Sequence, residues 1–192
     1  MTPDHLAIRL RTGEDSKTEF KSVEQGFPPA EVIAKELSAF ANSGGGDLLL
    51  GVEDDGRVTG VGSAKEAERL QHHVVQASRN LSPPLRLSHL LVIEHGGKLV
   101  VVARVPGFQP GRPFRGQSKY FVRDGPESRE MRPDELKRVA ASALDFHLDE
   151  QPLDGVTADD FEPEAVRALI RSITTRQGAN GDRVLRALHL ID

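Results

Sequence analysis

EDSKTEFK at residues 14–21, followed by IAKELSAFANSGGGDLLLGVEDDGRVTG at residues 33–60, is the stretch on which the fold turns. Thr18 to Lys21 alternates, so Phe20 is expected to face a core while Glu19 and Lys21 share the opposite face of a short strand. Pro28 and Pro29 set up a helix start, and Val32, Ile33, Leu37, Phe40 and Ala41 form its apolar stripe. Asn42, Ser43 and Gly44 end that helix, since a glycine just past the last turn can adopt the left-handed conformation that satisfies orphan carbonyls. Leu48 to Val52 is a nearly continuous apolar run, which predicts a central strand covered on both faces. Asp55-Gly56 then predicts a hairpin turn before Val58.

Outward from there, Ala67, Leu70, Val74 and Ala77 give helical spacing over residues 64–79, stopped by Pro83-Pro84. Residues 87–93 and 99–105 flank Gly96-Gly97 as a predicted β-hairpin. A loop rich in Pro and Gly at residues 106–116 leads to a last strand at 120–123. Pro133 opens a helix with Leu136, Val139, Ala140 and Ala143 inward. The expected class is α+β, a mixed sheet with packed helices, in a first domain spanning residues 10–146. Residues 147–192 read as an acidic linker through Gln151-Pro152 and two short helices, one through Val166, Leu169, Ile170 and Ile173, the other through Val184, Leu185 and Leu188.

The 192 residues suit one ordinary domain with a small appendage, and 38% hydrophobic with 28% charged residues is the balance of a globular chain. With no cysteine, disulfides, zinc-thiolate sites and thiol nucleophiles are excluded, so a metal would be held by oxygen or imidazole. No apolar run approaches the roughly 20 residues of a membrane span. The opening MTPDHLAIRLRTGEDS lacks the apolar core of a secretory signal, so the expected location is cytoplasmic, with no membrane partner. A net charge of −4 hides an uneven distribution. Arg104, Arg112, Arg115, Lys119 and Arg123 share a segment with no Asp or Glu, whereas residues 145–166 hold eight acids and neither Lys nor Arg.

The opening stretch resembles the Schlafen-type AlbA domain, a nucleic-acid-binding module of prokaryotic regulators and eukaryotic Schlafen proteins. The resemblance is carried by Glu14, Glu19-Phe20-Lys21, Ala39-Phe40-Ala41-Asn42, Gly45-Gly46, Gly51-Val52, Asp54-Asp55-Gly56 and Gly60. It continues at Arg112-Pro113-Phe114, at residues 120–125 and in the helix from Pro133, covering most of residues 10–146. In longer members this domain precedes an ATPase or winged-helix region, so the chain is expected to be either a short member or an N-terminal piece, and its abrupt end favours the latter. The resemblance implies nucleic acid, DNA or RNA, as the partner. A homodimer is expected to rebuild the two-lobed clamp of the eukaryotic relatives.

The family's nuclease members use an acidic triad. Carried over by motif, it becomes Glu14, Glu19 and Asp55, with Asp54 as substitute, holding Mn²⁺ or Mg²⁺ for cleavage of structured RNA such as tRNA. Hard cations on carboxylates polarise phosphoryl oxygens and activate water, and Lys21, on the same strand face as Glu19, would neutralise developing charge. Five residues separate Glu14 from Glu19, so Glu14 joins them only if it lies on a bend. A structural reading stands beside this one. Asp54 and Asp55 suit a tight turn, Glu19 and Lys21 an ordinary strand face, and Glu14 a loop.

In the basic segment, Arg112, Arg115, Lys119 and Arg123 are expected to contact phosphates, with Lys17 and Arg57 extending the face. Phe114, Tyr120 or Phe121 would stack on unpaired bases. The alternative places Phe121 in the sheet and leaves the arginines solvating a loop. Gly44-Gly45-Gly46 lacks the Gly-Lys-Ser/Thr of a phosphate-binding loop, so no ATP site is expected, and the histidines show no metal-ligand spacing. From a different functional class, a non-catalytic dimerisation or interaction module of a larger transcriptional regulator is the competing expectation.

Overall fold

Phe20 and the apolar run after the glycines meet as neighbouring strands, and the remaining elements are arranged around them. The computed structural model describes residues 1–107 and 112–144. Its order is α1 (Pro3–Thr12), β1 (Thr18–Lys21), α2 (Ala30–Asn42), β2 (Gly46–Leu50), α3 (Ala64–Arg79), β3 (His89–His95), β4 (Lys98–Val105), β5 (Arg115–Gly116), β6 (Lys119–Asp124), β7 (Glu127–Glu130) and α4 (Pro133–Leu144). The fold is α+β. A mixed four-stranded sheet runs β1-β2-β4-β3, and a smaller antiparallel sheet runs β5-β6-β7. β1 and β2 are parallel, with Phe20 opposite Leu49, so the chain must cross over between them, and α2 is that crossover.

β2 is interior and apolar on both sides, as its sequence requires. Leu48 and Leu50 point into the larger core with Phe40 of α2 and Leu70 and Val74 of α3. Leu49 and Val52 point the other way, into a smaller core with Phe20 and Leu6. Leu6 belongs to α1, a helix the sequence reading missed. Its start is fixed by the Thr2 side chain, which accepts from the His5 N–H, and by Pro3 in its first turn. The fold therefore begins ahead of residue 10.

The expected β3–β4 hairpin forms around Gly96-Gly97. Asp55-Gly56 makes a tighter feature than a hairpin of two strands. Glu53 and Arg57 close it by a backbone bond of 2.9 Å, and only Val52 and Val58 pair beyond it. Gly51 and Gly60 flank this turn and touch back to back. Gly51 has φ +101°, and a Cβ there would lie 2.7 Å from the Gly60 Cα. β7, whose sequence ESRE has no apolar residue, exists through its pairing with β6. α4 begins at Pro133 as expected, with the Arg132 N–H donating to Glu135, and Leu136 and Val139 are half-buried on it. The acidic linker and the two short helices expected beyond residue 146 lie outside the described residues. Among the described residues no helix is long and apolar enough to cross a membrane.

Candidate nucleic-acid interface and acidic cluster

The chain bends between α1 and β1, and the bend brings Glu14 back to β1. Asp15 and Thr18 bridge through their backbones at 3.1 and 3.5 Å, and Glu14 Oε1 accepts the Phe20 N–H at 2.8 Å. Burial pushes the Glu14 carboxyl above its usual range; the Phe20 N–H opposes the shift, the Glu19 charge adds to it, Lys21 opposes it, and Asp54 adds again. Glu14 is thus within electrostatic reach of Glu19, Lys21 and Asp54. Asp55, preferred from the sequence, is not the acid Glu14 feels. Its Oδ1 is occupied by the Arg57 N–H at 2.9 Å, the ordinary duty of an aspartate in a turn.

As they stand, these acids are engaged by protein partners. Both oxygens of Glu19 are committed, Oε1 to Lys21 and Oε2 to Arg123. Among the described residues no group of three or more His, Asp or Glu side chains is arranged to hold a metal ion. The expected Mn²⁺ or Mg²⁺ on Glu14, Glu19 and Asp55, with Asp54 as substitute, would have to compete with Lys21 and Arg123 for the oxygens of Glu19.

Arg123 was expected on the surface, yet its side chain is only 1% exposed. It donates to Glu19 at 2.5 Å, to Glu36 at 3.2 Å, to Ser128 at 3.0 Å, and to the carbonyls of Asp15 and Pro126 at 2.8 and 2.7 Å, with its guanidinium 4.8 Å from the Phe40 ring centre. Its charge is used on buried acids and is withdrawn from any phosphate. Glu36 escaped the sequence reading, although its position is a signal: it falls on the apolar stripe of α2 between Ile33 and Phe40, where an acid needs a partner. Phe114 is likewise no stacking platform. It is 2% exposed in the larger core, its backbone held by Asn42. Lys17 caps α2, donating to the carbonyls of Ser43, Gly44 and Gly45 at 3.1, 2.7 and 3.2 Å.

Of the residues expected to contact nucleic acid, those at or near the surface lie on and just ahead of the β5–β6 hairpin, apart from Arg57 and the capping Lys17. Arg115 is exposed, Arg112 and Tyr120 are half-buried, and Lys119 is exposed but paired with Glu130 at 2.7 Å. Arg57 is exposed too, beside Glu24 at 3.5 Å. A relationship invisible in the sequence enlarges the hairpin's face. Arg115 and Ser82 exchange both backbone bonds, at 2.8 and 2.9 Å. That bridge fastens the hairpin to the loop after α3, which carries exposed Arg86, with exposed Arg79 at the end of α3 itself.

The family model described as Schlafen, AlbA_2 matches residues 14–132, more than half of the chain. No curated protein matches it. Among solved structures, the crystal structure of the DIP2311 protein from Corynebacterium diphtheriae is similar, with a TM-score of 0.51 at 21% identity over 89% of this chain and 32% of that one. This chain thus spans about a third of that protein's length. The solution structure of the N-terminal domain of a RecG-related protein from Nitrosomonas europaea gives a TM-score of 0.48 at 24% identity, over 61% of this chain and 81% of that one.

Proposed function

This chain belongs to the Schlafen AlbA_2 family, and from that premise we propose that it binds nucleic acid, DNA or RNA, on the cationic face shared by the β5–β6 hairpin and the loop after α3. One observation carries the reading. The Ser82–Arg115 backbone bridge joins the hairpin carrying exposed Arg115 to the segment that carries exposed Arg79 and Arg86, which supports reading the three as one cationic face. Such a cluster concentrates positive potential on a chain whose net charge is −4. Phosphates neutralised there release condensed counterions, so affinity falls steeply with salt.

The deciding measurement is fluorescence anisotropy of labelled single-stranded and duplex DNA and RNA with the full chain, titrated from low to physiological salt. Binding that weakens with a steep log-log salt slope is the expected result. No binding of any of these probes at low salt would overturn the reading.

A further inference from the structure

We propose that the groove between the end of α3 and the start of β3 seats an unpaired base of single-stranded nucleic acid, with the neighbouring phosphates on its rim. The inference rests on the nucleic-acid reading above and specifies which form of nucleic acid this face takes.

The groove holds about 700 Å³, within the range of small-molecule sites. Its floor is aliphatic, with half-buried Val75, Leu87 and Leu90, and its charged or titratable lining is Arg79, Arg86 and His89, with no carboxylate among them. An apolar floor below a cationic rim matches a ligand that is flat and apolar at one end and anionic at the other. A base with its backbone phosphate is such a ligand, and guanidinium planes can add stacking. A duplex is not, because its ring faces are covered by neighbouring base pairs. The Ser82–Arg115 bridge puts a further cation beside the same loop, giving the backbone a path away from the groove.

The groove is built before any ligand arrives. Leu81 and Leu85 N–H groups both donate to the Ser78 carbonyl, at 3.4 and 3.0 Å, and Pro83 and Pro84 stiffen the segment between them. At the other end Gln71 of α3 donates to the Leu90 carbonyl at 3.2 Å, holding β3 against the helix. A seat of fixed shape loses little ordering entropy on binding.

The test uses the full chain with a 12-mer oligouridylate carrying 4-thiouridine, a duplex of the same length, and an acidic peptide as competitor. The expected photocrosslinks fall within residues 75–90. Arg79→Ala combined with Arg86→Ala is expected to weaken the single strand about tenfold and the duplex much less. Crosslinks confined to other segments, or equal losses for both probes, would overturn the base seat while leaving the nucleic-acid reading intact. Displacement of the oligomer by the peptide at matched charge would show the groove to be a protein-binding site, which also overturns it. If wild-type chain binds neither probe at low salt, the broader reading fails with it.

Discussion

Arg123 and Glu19, 104 positions apart in the chain, meet at 2.5 Å between Nη1 and Oε2 in the interior. The pair joins β6 to β1 and therefore one sheet to the other, and Glu36 makes it a triad across α2. Removing the cation would leave Glu19 with Lys21 alone and Glu36 with Ser128 and a distant Lys35, two buried carboxylates without the guanidinium they share, and breaking such a buried pair typically costs about 3–5 kcal/mol. Arg123→Met is expected to destabilise by that amount in urea unfolding. Arg123→Lys is expected to recover less than half, because one ammonium cannot replace the planar fork. A loss below about 1 kcal/mol for Arg123→Met would contradict the assignment.

Asn42 ties α2 to the smaller sheet with a single amide. Its Nδ2 donates to the Phe114 and Phe121 carbonyls, both at 2.9 Å, and its Oδ1 accepts the Phe114 N–H at 2.8 Å. Asn42→Ala should cost about 1–3 kcal/mol through the buried groups it strands. Asn42→Asp should cost more at neutral pH, since a carboxylate oxygen would then face two carbonyl oxygens, and less in acid, where it is protonated. Equal stability of the two variants at neutral pH would argue against the amide's orientation.

Glu14 gives the stability a pH dependence of known sign. Its folded pKa is raised, chiefly by burial, so the native state binds more protons than the unfolded chain between the ordinary glutamate value and the raised one. The contribution of Glu14 is therefore full below that window and is lost as pH rises through it. Glu14→Gln keeps an acceptor for the Phe20 N–H and removes the charge. It is expected to raise Tm at pH 7 and to leave it nearly unchanged near pH 4, and the opposite ordering would count against the shift.

Arg115→Ala should weaken nucleic-acid binding several-fold and reduce the log-log salt slope by about one. Lys119→Ala should matter less, because Glu130 already holds that ammonium at 2.7 Å. EDTA should leave affinity unchanged, since side-chain cations do the neutralising. A loss of binding in EDTA would assign the contact to a metal instead.

Gly51→Ala tests the back-to-back glycines. The φ of +101° and a Cβ 2.7 Å from the Gly60 Cα combine strain with a backbone clash that no rotamer relieves. A loss of about 2 kcal/mol or more is expected, lowering Tm by at least about 4 °C in a calorimetric scan. An unchanged Tm would mean that the turn can shift.

The sequence made β1, α2, β2 and the β3–β4 hairpin legible because each carries its own periodicity or turn signal. α1 was not, since only Leu6 of its ten residues is fully buried, too little for a pattern. β7 was not, because ESRE becomes a strand only beside β6. The candidate site was legible in part: Glu14 does lie near Glu19 and Asp54, whereas Arg123 and Phe114 face inward and Lys17 caps a helix. Glu14 lies on the bend that its spacing demanded, but the choice between Asp54 and Asp55 turns on one residue at a turn tip. A run of arginines and aromatics reads alike whether it faces phosphate or a buried acid. The acid itself, Glu36 on an apolar stripe, was the clue that Arg123 points inward.

The triad of Glu19, Glu36 and Arg123 also has an order in time. A ribosome delivers both carboxylates long before the guanidinium, with 104 positions separating Glu19 from Arg123. Until β6 has emerged, β1 and α2 close over their acids only with Glu36 and one oxygen of Glu19 lacking the guanidinium they share. Domain closure during synthesis is therefore expected to follow the arrival of that late arginine. A nascent chain stopped short of it is expected to stay open to proteases and chaperones.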